Sequence, residues 1–202
     1  MQAVLLHDTS LATTESNLLR VLRETKGTPK TPDPIIEMIF ARQPALQVTE
    51  QVLTAVRFAQ DLRDILCHSA IGVESVTESV LDAWVANDRK GADELLGVLL
   101  GQAMSGALFD ITARRVLESD DVGNLRRVLE LDDNLRLGKL DASKVLAIRA
   151  LYHPVDWHAR FTDLLRDFQD RCVLSHEAKQ LIDDEFGRRP GVRKLYYDLA
   201  GW

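Results

Sequence analysis

Cysteine is nearly missing from this chain: Cys67 and Cys172 are the only two in 202 residues, and both stand among apolar neighbours. That excludes a disulfide-stapled secreted scaffold and predicts two small core thiols, reduced and not bridged to each other. Long apolar runs are missing too. The longest stretch without a charge, Leu95 to Phe109, is closed by Glu94 and Asp110 and falls short of the roughly 20 residues a membrane-crossing helix needs. It reads instead as a central helix with a break, the most buried segment of the protein, with Gly97 and Gly101 on one face where a second backbone could approach. There is no block of one charge: the net charge is −6, and acids and arginines are interleaved. A broad phosphate-binding face needs a local excess of Lys and Arg, so duplex nucleic acid is excluded as a first expectation. No Gly-rich phosphate loop, Cys-x-x-Cys, Gly-x-Ser-x-Gly or dinucleotide fingerprint occurs. Neither a cofactor nor a metal is expected. His153, Asp156 and His158 are too differently placed around the start of a helix to converge on one ion, and Asp132 to Gly138 places glycine and Arg136 wrongly for a calcium loop.

What the chain does carry is helix punctuation. A hydrophobic content of 46% is enough for a folded core. Thr14 can cap a first helix reaching about Thr25, and the breaker-rich loop Lys26 to Pro32 would set off residues 1–32 as an N-terminal arm. Asp33-Pro34 opens a helix that ends before Pro44. From Thr49 a long amphipathic helix is predicted, burying Val52, Leu53, Val56, Leu62 and Leu66 and turning Arg57, Asp61 and Asp64 outward. Ser75 with Glu78 resembles a capping box ahead of Val80, Leu81 and Trp84. Asp141 caps a helix burying Val145, Leu146, Ile148 and Leu151, and His153-Pro154 opens one burying Trp157, Phe161, Leu164 and Phe168. Ser175 and Gly187 bracket another, and Arg189-Pro190 opens the last, with Leu195 and Leu199 inward and Trp202 docked at its end. No convincing strand appears. The prediction is an all-α domain over residues 1–202, either an irregular multi-helix bundle or a HEAT-like stack of short helical hairpins.

Arginine supplies 18 of the 25 basic residues, and its planar fork suits carboxylates at protein interfaces. The strings Ala113 to Asp121 and Leu125 to Asp133 are the same except at Ala113/Leu125 and Ser119/Leu131, which predicts two successive short helices each ended by an Asp pair. Arg114, Arg115, Arg126 and Arg127 would then form a basic patch for an acidic protein partner, with Trp202 as a second candidate contact.

One string suggests chemistry. Arg63-Asp64-Ile65-Leu66-Cys67-His68 resembles the Arg-x4-His signature of HEPN-domain ribonucleases. The resemblance implies a metal-independent cleavage, usually assembled across a dimer, in which Arg63 would stabilise charge on the phosphate and His68 would move the proton of the attacking 2′-hydroxyl. A second such string, Arg171 to His176, occurs as well, and residues five apart on a straight helix point to different faces. The sequence-based expectation is therefore a non-catalytic helical protein-interaction module (an adaptor, chaperone or regulator), with the ribonuclease as the alternative. Self-association is left open. The opening Met1 to Asp8 lacks a basic segment followed by an apolar one, which predicts a cytoplasmic protein without membrane insertion.

Overall fold

The computed structural model describes residues 15–24, 34–68, 73–151 and 154–187. Those residues are overwhelmingly helical and fall into two compact units, 1–112 and 113–202. Among them no helix is long and apolar enough to cross a membrane.

In the first unit three helical hairpins stack. Their members are α1 (Glu15–Glu24) with α2 (Pro34–Arg42), α3 (Glu50–Ala55) with α4 (Ala59–His68), and α5 (Glu78–Asn87) with α6 (Arg89–Leu99). Contacts run α1 to α3 to α5 on one side and α2 to α4 to α6 on the other, so the hairpins form two layers. Polar ties fix the register of the first layer. Thr49, ahead of α3, donates to Glu15 at the start of α1, and Glu50 accepts from Thr77 and Ser79 at the start of α5 (2.9 and 2.5 Å). Three N-termini thus meet at one end. Further along, the buried Trp84 of α5 donates its indole N–H to the Leu53 carbonyl of α3 at 2.8 Å, so α3 and α5 run side by side in the same direction. Leu18, Leu22, Ile36, Ile39, Leu53, Leu62, Ile65, Leu81, Trp84, Leu96 and Leu99 fill the space between the layers. The arrangement is the stacked-hairpin form of the predicted all-α architecture, in which each hairpin buries its apolar face on the next.

Several expectations need correction here. The helix predicted from Thr49 is two helices: Val56 is extended, and the chain turns through Arg57 and Phe58 before α4 begins. Asp61 and Asp64 are buried, not outward, because α4 is flanked by both α2 and α6 and hides more of its circumference than a surface helix does. Asp64 accepts from Gln60 at 2.8 Å. The cap of α5 is Thr77, whose hydroxyl accepts from the Val80 amide at 3.4 Å, while Ser75 belongs to a preceding 3-10 turn, Val73–Ser75. The stretch from Leu95 to Phe109 is not uniformly buried. Leu95, Leu96 and Val98 to Leu100 are core, but the chain leaves α6 at Gly101, and residues 101–103 and 105–107 are exposed. Gly101 therefore sits past the helix end with only the Val98 and Gly97 carbonyls within 4 Å of a Cβ position, and no second backbone approaches it.

Helix α7 (Gly106–Glu118) carries the chain into the second unit, followed by α8 (Val122–Leu131), β1 (Leu137–Leu140), α9 (Ala142–Leu151), α10 (Pro154–Asp167), β2 (Cys172–Leu174) and α11 (His176–Gly187). The strands were not expected. They pair in parallel, Leu137 opposite Cys172, with the Leu137 amide donating to Arg171 O (3.0 Å) and the Ser175 amide to Leu140 O (2.8 Å). Helix starts follow the local chemistry: Asp121, Asp141 and Ser175 accept from the amides of Asn124 (2.8 Å), Lys144 (2.8 Å) and Ala178 (3.0 Å). Val145 and Ile148 are buried as expected, but Leu146 is exposed. Lys144 reaches the carbonyls of Leu117 (3.4 Å), in the last turn of α7, and of Ser119 just beyond it, and pairs with Asp120 at 2.8 Å, placing positive charge where the helix dipole favours it. The expectations for Thr14, for the loop 26–32 and for residues 189–202 lie outside the described residues, as does the side chain of Trp157.

The expectation of two unbridged core thiols holds for Cys172 and fails for Cys67 only in its exposure. Both are free, but Cys67 is exposed whereas Cys172 is buried. Burial pushes the Cys172 thiol up to about 12, an effect that Arg171 beside it only partly offsets. The thiolate is the reactive form, so Cys67 should react with a disulfide reagent in the native protein and Cys172 only after unfolding. Thiol titration with and without denaturant checks this; two fast thiols in the native state would contradict the burial of Cys172.

Candidate functional site

The described surface of the first unit is hollowed where α3, α5 and the turn between α3 and α4 meet. A wide groove of about 620 Å3 crosses the outward face of α1, α3 and α5. Its floor is made of small side chains, Thr54 and Ala55 on α3 and Ser79 and Ala83 on α5, placed four residues apart on the α5 face; their size is what leaves room. Arg23, Glu50, Gln51, Arg57 and Asn87 stand around it.

At Arg57 and Asn87 the groove adjoins a narrower pit of about 310 Å3, also lined by Val56, Phe58, Trp84, Asp88, Gly91, Ala92 and Leu95. The break between α3 and α4 creates this pit, because the extended Val56 and the turn at Arg57 and Phe58 leave the layer while α5 ends and α6 begins opposite them. Asp88 caps α6 by accepting from the Lys90 amide at 3.1 Å. Gly91 keeps the pit open at close quarters, since a Cβ there would stand 2.8 Å from Asp88 Oδ2 and 3.6 Å from the Arg57 carbonyl.

The polar groups divide into committed and available ones. Hydrogen bonds from Ser79 and then Thr77 hold the Glu50 carboxyl below the usual carboxylate range. The downward direction means that this tie between α3 and α5 is present above the ordinary carboxylate pKa and is lost as pH falls through the lowered value. Arg23 and Arg57, by contrast, are exposed and make no hydrogen bond or ion pair with any described residue. Nothing in the sequence marks this pair, which lies 34 positions apart and comes together only through the stacking of hairpins.

The residues singled out from sequence are placed differently. Arg114 is exposed and Arg115 half-buried on α7, where Arg115 pairs with Glu118 at 2.8 Å. On α8 the pattern is reversed: Arg127 is exposed, while Arg126 is half-buried, pairs with Glu130 (2.9 Å) and Asp167 and lies 5.8 Å from the centroid of Phe168. The duplicated strings thus form two successive helices as predicted, but they do not present equivalent faces. Arg126 is engaged in holding α8 to α10. Arg63 and His68 share the unbroken helix α4, which sets the two positions about 140° apart around its axis; Arg63 is exposed and donates to Gln60 at 3.5 Å. In the second Arg-x4-His string, Arg171 is buried against main-chain carbonyls. Trp202 lies outside the described residues. Among those residues no three His, Cys, Asp or Glu side chains gather as a metal site. No family model, no curated protein and no solved structure matches this chain.

Proposed function

We propose that this chain is a cytoplasmic, non-catalytic protein-interaction module, of the adaptor, chaperone or regulator kind, whose first unit takes up an extended segment of another protein. The observation that supports this most is the groove itself, floored by small residues across one face of the stacked helices and joined to an apolar-walled pit. A guest chain lying along Thr54 and Ala83 could seat one large apolar side chain against Trp84, Val56 and Leu95. The Asn87 amide, with both donors and an acceptor, matches a guest main chain without regard to its sequence. The exposed thiol of Cys67 is in keeping with a reducing compartment.

A displayed library of random short peptides tests the reading. Wild-type protein should enrich a subset, and Ala83→Trp, which places an indole on the groove floor without touching the core, should abolish that enrichment while leaving the melting temperature within about 2 °C. Failure to enrich any peptide, or enrichment unchanged by Ala83→Trp, would overturn the groove as the binding site.

A further inference from the structure

Arginine is used consistently in this protein, and two positions break the usage. Arg115, Arg126 and Arg166 are paired with carboxylates (Glu118, Glu130 and Asp167, Asp163). Arg136 and Arg171 donate to main-chain carbonyls, and Arg63 to Gln60. Arg20, Arg42, Arg89, Arg114, Arg127, Arg149 and Arg160 each have a partner as well. Among the described arginines only Arg23 and Arg57 have none, and both line the same groove. In a chain of net charge −6, with acids enough to pair every guanidinium, two uncommitted ones flanking one hollow are a feature of that hollow and not of the surface at large.

From this we infer that the groove selects an acidic segment of a partner protein, with Arg23 and Arg57 forking onto guest carboxylates while an apolar guest side chain enters the pit. The inference rests on the proposed groove and names the chemistry of its occupant. Glu50 and Asp88 keep their negative charge, but their hydrogen bonds go to the Thr77 and Ser79 hydroxyls and to the Lys90 amide and not to either arginine, so both guanidinium forks stay open to a guest carboxylate. Arg fits this role better than Lys, because its planar fork meets a carboxylate through two parallel hydrogen bonds. Arg23 adds a second advantage. It lies in the last turn of α1, a position where the helix end favours positive charge.

The experiment uses the full chain and three displayed peptide pools, each mixing large apolar residues with either Asp and Glu, Asn and Gln, or Lys and Arg. Wild type should enrich the acidic pool, with affinity falling as salt rises. The double charge reversal Arg23→Glu with Arg57→Glu should weaken that binding by about tenfold or more at low salt and should now favour the basic pool. Both side chains are exposed and unengaged, so the melting temperature should hold. Equal enrichment of the neutral and acidic pools, lost in Ala83→Trp but indifferent to the double reversal, would overturn the acidic specificity while leaving the groove standing. No enrichment from any pool would overturn both. Binding of a labelled oligoribonucleotide in place of acidic peptides, lost on the double reversal, would assign the arginines to nucleic acid and overturn the inference.

Discussion

Trp84→Ala should lower stability by about 3 to 5 kcal/mol, a large share of the roughly 5 to 15 kcal/mol that holds a domain together. Trp84 is 2% exposed, the largest buried side chain among the described residues, and it stands between the interior of the hairpin stack and the wall of the pit. Truncation removes most of its apolar contact and leaves a cavity that α3 and α5, pinned at their N-termini through Glu50, cannot close. Trp84→Phe separates packing from hydrogen bonding. The Leu53 carbonyl that accepts the indole N–H also accepts the Val56 amide at 3.1 Å, so it keeps a partner and the loss should be near 1 kcal/mol. Chemical denaturation of the three proteins checks the order. Equal stability of Trp84→Ala and wild type would contradict the placement of the indole.

The second large effect is expected at Arg171, in the other unit. The residue is 6% exposed, and its guanidinium donates to Leu129 O (2.6 Å) and Asp132 O (2.7 Å) and lies 4.8 Å from the Phe168 centroid. The first of these acceptors is among the last carbonyls of α8, groups that a helix end leaves without internal donors, and the second belongs to the residue that caps it. The next residue, Cys172, pairs with Leu137 in the two-stranded sheet, so one side chain closes the helix and anchors the strand that follows. Arg171→Ala should cost about 2 to 4 kcal/mol, through two lost charge-assisted bonds and the buried Leu129 carbonyl left without a donor, while Asp132 O keeps the Leu135 amide at 3.2 Å. Arg171→Lys should recover less than half, since a single ammonium lacks the fork that spans both acceptors. A lysine variant as stable as wild type would show that the fork is not what matters there.

Much of the helical order was legible in the sequence because capping is local chemistry. Pro34, Asp141 and Ser175 mark starts, and Gly187 an end, that need only neighbouring residues to be understood. The break between α3 and α4 was not legible. Ala55-Val56-Arg57-Phe58-Ala59 contains no glycine, proline or strong capping residue, so only the docking of two hairpin arms into separate layers turns the chain there. That one missed turn explains why Asp61 and Asp64 were expected outside, and it hid the pit as well. The strands escaped notice for a different reason. Leu137 to Leu140 and Cys172 to Leu174 are too short for alternation to register, and they exist through pairing across a long sequence separation.

Site legibility followed the same division. Clustered arginines stand out in a sequence, and on α7 and α8 the structure ties Arg115 and Arg126 to nearby acids. The available pair, Arg23 and Arg57, has no local signature. Its significance comes from what α1, α3 and α5 bring together and from what those two side chains do not touch.

The most direct test of the groove is backbone amide mapping by NMR on the full chain, titrated with an acidic peptide carrying one large apolar residue. Shifts confined to Arg23, Gln51, Thr54, Arg57, Ser79, Ala83 and Asn87, with Trp84 Nε1 moving as the pit fills, are the expected result. Shifts centred instead on Arg114, Arg115, Arg126 and Arg127, or no shifts at saturating peptide, would contradict it.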